Sequence, residues 1–173
     1  MNDGQQIVSK LNNLQVGGLT KSVKVSGTTI AVQADTYSTG VVLGTGNPVT
    51  VELSRSQTGS GIIQTVAVQD KGKQSGAIDI VIFDSMPTAT TFSDGFELNI
   101  AAADLTKVLG VVSIADTDYS SFMNNSVATK TNIGFVLQSL NTPNNLFYLA
   151  FVSRDGKTYS ANDLSVVIGI LQD

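Results

Sequence analysis

The sequence predicts an all-β fold: an antiparallel β-sandwich of jelly-roll type, with one short helix and an N-terminal arm. Three observations predict it. Val, Thr, Ser and Gly are abundant, while Glu occurs only at Glu52 and Glu97. β-Branched side chains suit a pleated surface and Gly suits turns, so this is strand-and-turn composition. Apolar residues alternate with a period of two through the middle of the chain. Eight or more such runs follow one another, separated by Gly, Asn, Asp and Pro, the pattern of sandwiches, jelly rolls and barrels.

The first 34 residues stand apart. They are rich in Asn and Gln, contain Gly17-Gly18 and hold few large apolar residues. Ile7, Leu11 and Leu14 sit at i, i+4 and i+7, the spacing of a weak amphipathic helix. Asp3 and Gln6 could form its capping box. Residues 1–34 are therefore assigned as an arm, either frayed or ordered on a neighbouring subunit. Residues 35–173 are assigned to the sandwich domain. Ile7, Leu11, Leu14 and Leu19 are the candidate contact residues of the arm.

The clearest strands lie at 61–70 and 77–84. In GIIQTVAVQD, Ile62, Gln64, Val66 and Val68 share one face, with Ile63, Thr65, Ala67 and Gln69 on the other. In AIDIVIFD, Ile78, Ile80 and Ile82 oppose Ala77, Asp79, Val81 and Phe83. The intervening DKGKQSG reads as a hairpin loop. Further strands are expected at 40–44, 49–53, 96–100, 108–114, 126–130, 133–138, 146–153 and 164–171. Gly46-Asn47-Pro48, Asp94-Gly95, the Asn141–Asn145 stretch and Asp155-Gly156 punctuate them. AAADLTKVLG predicts a short helix with Asp104 in its first turn. A helical turn is expected within 116–123.

Composition excludes several chemistries. The chain has 173 residues and no Cys, His or Trp. Without Cys there is no disulfide framework, thiolate metal site or cysteine nucleophile. Without His there is no Ser-His-Asp triad and no imidazole ligand. The net charge is -4, and Lys and Arg are scattered rather than gathered into the basic stripe that nucleic acid requires. No segment approaches the roughly 20 apolar residues that span a bilayer, and MNDGQQIVSKLNNLQ lacks the regions of a signal peptide. A soluble chain without metal or cofactor is expected.

Motif searches point the same way. GGLTKS (17–22) has Thr20 where a Walker A motif needs Gly, and GTGNPVTV (44–51) lacks the third Gly of a dinucleotide fingerprint. Asp116 and Asp118 form a D-x-D, but the remaining Ca²⁺ ligands are absent; a turn cap is the expected role. Lys71 and Lys73 read as a solvated turn, and Asn124-Asn125-Ser126 as a turn. Asp79, the one charge in its apolar run, is expected either at solvent or paired with Lys130 or Arg154 across a subunit contact, because an unpaired buried carboxylate is costly. Tyr37, Tyr119, Tyr148 and Tyr159 suit core or rim better than a sugar platform. No acid–base constellation is visible, so the chain is expected not to be an enzyme.

The run GSGIIQTVAVQDKGKQSGAIDIVIFDSMPTATTFSDGFELNIAAADLTKVLGVVSI (59–114) resembles small proteins encoded by tailed bacteriophages beside capsid genes. DYSSFMNNSVATKTNIGF, FVSRDGKTY (151–159) and the terminal GILQD extend the likeness over about residues 35–173, with Asp155-Gly156 departing from the usual Gly-Thr-Pro-like turn. The resemblance implies a capsid decoration, or cement, protein: a β-sandwich or jelly-roll knob, often trimeric, on the outer surface of the virion. Its partners would be the major capsid protein and further copies of itself. The arm would supply part of the capsid or subunit contact, so a chain lacking 1–34 is expected to fold but to bind capsids weakly. The alternative is a receptor- or glycan-binding head-fibre or tail module using loops 85–95, 116–125 and 141–145.

Overall fold

The computed structural model describes residues 19–25, 30–52, 60–138 and 146–172, with backbone alone at 19–25, 52, 60, 138 and 172. Twelve strands are present among them: β1 (Leu19–Val25), β2 (Asp35–Tyr37), β3 (Val49–Glu52), β4 (Ser60–Asp70), β5 (Ile78–Phe83), β6 (Val108–Ile114), β7 (Tyr119–Ser121), β8 (Ser126–Lys130), β9 (Phe135–Gln138), β10 (Leu146–Ser153), β11 (Lys157–Tyr159) and β12 (Leu164–Gln172). One helical turn, α1 (Ala102–Leu105), precedes β6.

Two antiparallel sheets carry the fold. Sheet I orders β1–β12–β4–β8, extended by β7, with β9 also on β4; sheet II orders β3–β10–β5–β6. β2 and β11 form a separate ribbon. Along the chain, the eight principal strands fall in sheets I, II, I, II, II, I, II and I. Among these, only β5 and β6 are consecutive in sequence and hydrogen-bonded to each other. This is the double Greek-key order of a jelly roll, and the predicted fold class is the observed one.

The order corrects the reading of 70–76 as a hairpin loop. β4 and β5 do not pair; the segment carries the chain from one sheet to the other. The turn closes on itself and on the start of β12. Ser75 N donates to Asp70 Oδ2 at 2.7 Å, and Lys71 N donates to the Asp163 carbonyl at 3.0 Å. Lys73 and Ser75 take φ of 53° and 52°, left-handed backbone that turns the chain sharply within this segment.

The core lies between the sheets. Val66 and Val68 meet Ile78, Ile80, Ile82, Phe147, Leu149, Phe151, Val166, Ile168 and Ile170 in one buried cluster. Each fully buried aliphatic side chain stabilises by about 1.5–3 kcal/mol. The alternation predicted for β5, β10 and β12 is the alternation observed. In β4 it holds for Val66 and Val68 and then changes phase, with Ile63 in the core instead of Ile62. Gly169 pairs with Thr65 but Ile170 pairs with Ile63. Gln64 is the extra residue of a β-bulge, and one extra residue reverses the parity beyond it.

Other boundaries shift. Residues 40–44 and 96–100 are not full strands; they are reduced to isolated bridges such as Val41 with Glu97 and Val42 with Val152. The predicted helix shrinks to the four residues of α1. Residues 116–123 hold a 3-10 turn at Asp116–Asp118, followed by β7. The sandwich also begins before residue 35. β1 pairs with β12 from Leu19 opposite Gln172 to Val25 opposite Val166, and Ile30 and Val32 are buried in the core. The Lys-rich sequence of β1 obscured it, and Lys is what an edge strand tolerates. Ile7, Leu11 and Leu14 lie outside the described residues.

Candidate functional site

β5 is buried along its whole length. Its inward face meets the core. Its outward face carries Val81 and Phe83, which join Ala150 and Val152 of β10 in a second apolar cluster on the outside of sheet II. The connection 84–107 folds over this cluster, placing Phe92, Leu98 and Ile100 against it. Phe92 meets Phe83 edge to face, with ring centroids 6.0 Å apart.

Asp104 holds that connection in place. Its Oδ2 accepts from Ala89 N at 2.8 Å, Thr90 N at 2.7 Å and Thr90 Oγ1 at 2.8 Å. Its Oδ1 accepts from Lys107 Nζ at 2.8 Å, and the same ammonium reaches the Met86 carbonyl. The Lys107 contact and the three donors at 89–90 hold the Asp104 carboxyl well below the usual carboxylate range. Farther along, Leu98 N donates to the Gly40 carbonyl and Val42 N to the Phe96 carbonyl. Asp94 Oδ1 accepts from Gly44 N at 2.6 Å.

The cover leaves a groove of about 300 Å³ between the connection and β6. Val81, Leu98, Ile100, Leu105, Val111 and Val152 supply its apolar surface, with Glu97 and Arg154 also lining it. Leu105 is 61% exposed, Val111 48% and the neighbouring Phe96 71%. Exposed apolar side chains gathered around a groove mark an interaction surface. Arg154 pairs with Asp79 through Nε at 2.6 Å. The pair lies within one chain, between β5 and the residue that follows β10, so neither the solvent position nor the intersubunit pairing expected for Asp79 is the arrangement found.

The other singled-out residues take structural places. Asp118 accepts from Ala115 N at 2.7 Å and pairs with Lys130 at 2.7 Å; Lys130 foremost, with that amide, lowers its pKa. It caps the 3-10 turn. Among the described residues no three acidic side chains gather as a metal site, and no helix is long and apolar enough to cross a membrane. Tyr37 and Tyr159 are buried and pack against each other at 6.0 Å; Tyr119 packs on the main core and Tyr148 on the second cluster. Burial pushes the Tyr37, Tyr119 and Tyr159 phenols up. No sugar platform is formed by these four. Lys71 Nζ donates to the Asn162 carbonyl, and the Asn125 carbonyl closes a tight turn by accepting from Phe122 N. Loops 85–95 and 116–125 follow opposite ends of β5–β6, so they do not converge on one surface; 141–145 lies outside the described residues. Leu19 opens β1.

The groove residues were missed in the sequence, yet a signal existed. AIDIVIF is apolar at almost every position, and a strand reads that way when both of its faces are covered.

Comparison with known proteins adds little. No model of a known protein family matches the chain, and no curated protein does. A solved structure titled "Structure of black queen cell virus" is similar at 12% identity and a TM-score of 0.27, over 95% of this chain and 74% of that one.

Proposed function

We propose that this chain is a structural, non-catalytic virion protein: a capsid decoration protein of a tailed bacteriophage that oligomerises, as a trimer, and binds the major capsid protein. The observation that carries the reading is the strand order. Two sheets ordered β1–β12–β4–β8 and β3–β10–β5–β6 make the double-sheet jelly roll used by viral capsid and lectin domains. Of those two uses, protein attachment is favoured, because the tyrosines are packed into cores and the exposed groove is aliphatic. The resemblance of residues 35–173 to phage proteins supports the same choice. A shell clamp gains from many weak contacts made at once.

The test is sedimentation of the purified protein with empty heads of the phage that encodes it. Saturable co-sedimentation at a fixed ratio to the major capsid protein is expected. A folded protein that stays in the supernatant at all concentrations sinks the reading.

A further inference from the structure

We infer that the groove on the outer face of sheet II receives the N-terminal stripe Ile7, Leu11 and Leu14 of a neighbouring copy of this chain. The inference deepens the oligomer part of the proposed function and rests on it.

The groove presents Leu105 and Val111 to solvent beside the buried Val81 and Val152. Its occupant must be apolar along one face and short. Eighteen residues of the sequence precede β1, and their apolar residues at 7, 11 and 14 have the i, i+4, i+7 spacing of a single apolar stripe. Lys10 flanks that stripe, and Glu97 on the groove wall carries the complementary charge.

Reach decides which copy supplies the stripe. From Leu14 to Leu19 the chain extends at most about 18 Å. β1 is the edge of sheet I farthest from β8 among the principal strands, and β8 lies against β6. β1 therefore stands over the β3 edge of sheet II. To reach its own groove the stripe would cover the sheet spacing of about 10 Å, cross β3 and β10 at about 4.8 Å each, and stand about 10 Å off the outer face. That path is about 30 Å, longer than the tether. A neighbour's groove has no such limit, and a head-to-tail contact of this kind forms a ring where its rotation closes.

The absence of Cys makes the test clean. Leu11→Cys and Leu105→Cys chains, made separately with different mass tags, are mixed and mildly oxidised. A disulfide between the two chains is expected at on the order of tenfold the yield obtained with Thr129→Cys, an exposed site on β8. Leu11→Asp in the full chain should weaken self-association at least about tenfold with the far-UV circular dichroism unchanged. An oligomer that gives no cross-link above the Thr129→Cys control overturns the docking but leaves the oligomer standing. A chain carrying both Leu11→Cys and Leu105→Cys that cross-links only within itself, while the mixed single variants give no product above the control, overturns the exchange between copies. A wild-type chain that is monomeric at all concentrations by light scattering overturns both.

Discussion

Two buried aspartates with opposite surroundings act in opposite directions on the pH dependence of stability. Asp104 meets four donors, and its folded pKa is depressed. A depressed carboxylate stabilises the fold above its unfolded pKa of about 3.9, and that stabilisation is lost as pH falls towards the folded value. Asp104→Asn should therefore lower the melting temperature at pH 7 and shrink the wild-type loss between pH 5 and pH 3; an unchanged acid limb would count against the role. Asp70 is the converse case. It is 1% exposed, its Oδ1 has no partner, and burial raises its pKa, with the Ser75 amide opposing. Ionising it above its unfolded pKa works against folding. Asp70→Asn, which keeps an acceptor for Ser75 N, should melt higher than wild type at pH 7; a lower melting temperature would show that the ionised form is needed. Asp79 depends on a different support. Arg154→Ala leaves this buried carboxylate without its charged partner, a change expected to cost about 1–3 kcal/mol by urea denaturation, with Asp79→Ser in the same chain recovering part of it.

At the scale of elements, the long central strands were legible, and so was the phase of those without a bulge. β5, β10 and β12 follow simple alternation, so their inward faces could be assigned from spacing alone. β4 could not, because the bulge at Gln64 depends on its partner. Gly169 faces Thr65 so closely that a Cβ there would collide with Thr65 Oγ1, and nothing within the sequence of β4 announces this. Gly169→Ala should destabilise by about 1–3 kcal/mol through overpacking, and Thr65→Ala should relieve much of that loss when combined with it. Additive effects in a double-mutant cycle of urea midpoints would remove the contact from the account. The hairpin expected at 70–76 failed for a related reason. Turn residues declare a change of direction, whereas the sheet in which the next strand lands is set by long-range pairing. The groove was hidden similarly: Leu98 and Ile100 were placed in a strand, and it is the fold of 84–107 over sheet II that turns them into a wall.

For the whole molecule, the place where the domain begins matters most. Sequence pattern put the boundary at residue 35, because LTKSVKV is short and carries two Lys. Pairing with β12 puts it at Leu19 instead. Truncations separate the two. Removing residues 1–18 leaves β1 paired with β12 and Ile30 and Val32 in the core, so that chain should still fold and unfold cooperatively. Removing 1–34 deletes β1, exposes β12 as a new edge, and takes Ile30 and Val32 out of the core. Those two side chains alone account for about 3–6 kcal/mol of burial, against a total stability of about 5–15 kcal/mol for a typical domain. An unpaired strand edge also invites association. The 1–34 deletion should therefore unfold or aggregate where the 1–18 deletion does not, as read by thermal denaturation and light scattering. A 1–34 deletion as stable as wild type would return β1 to the arm and restore the boundary at residue 35.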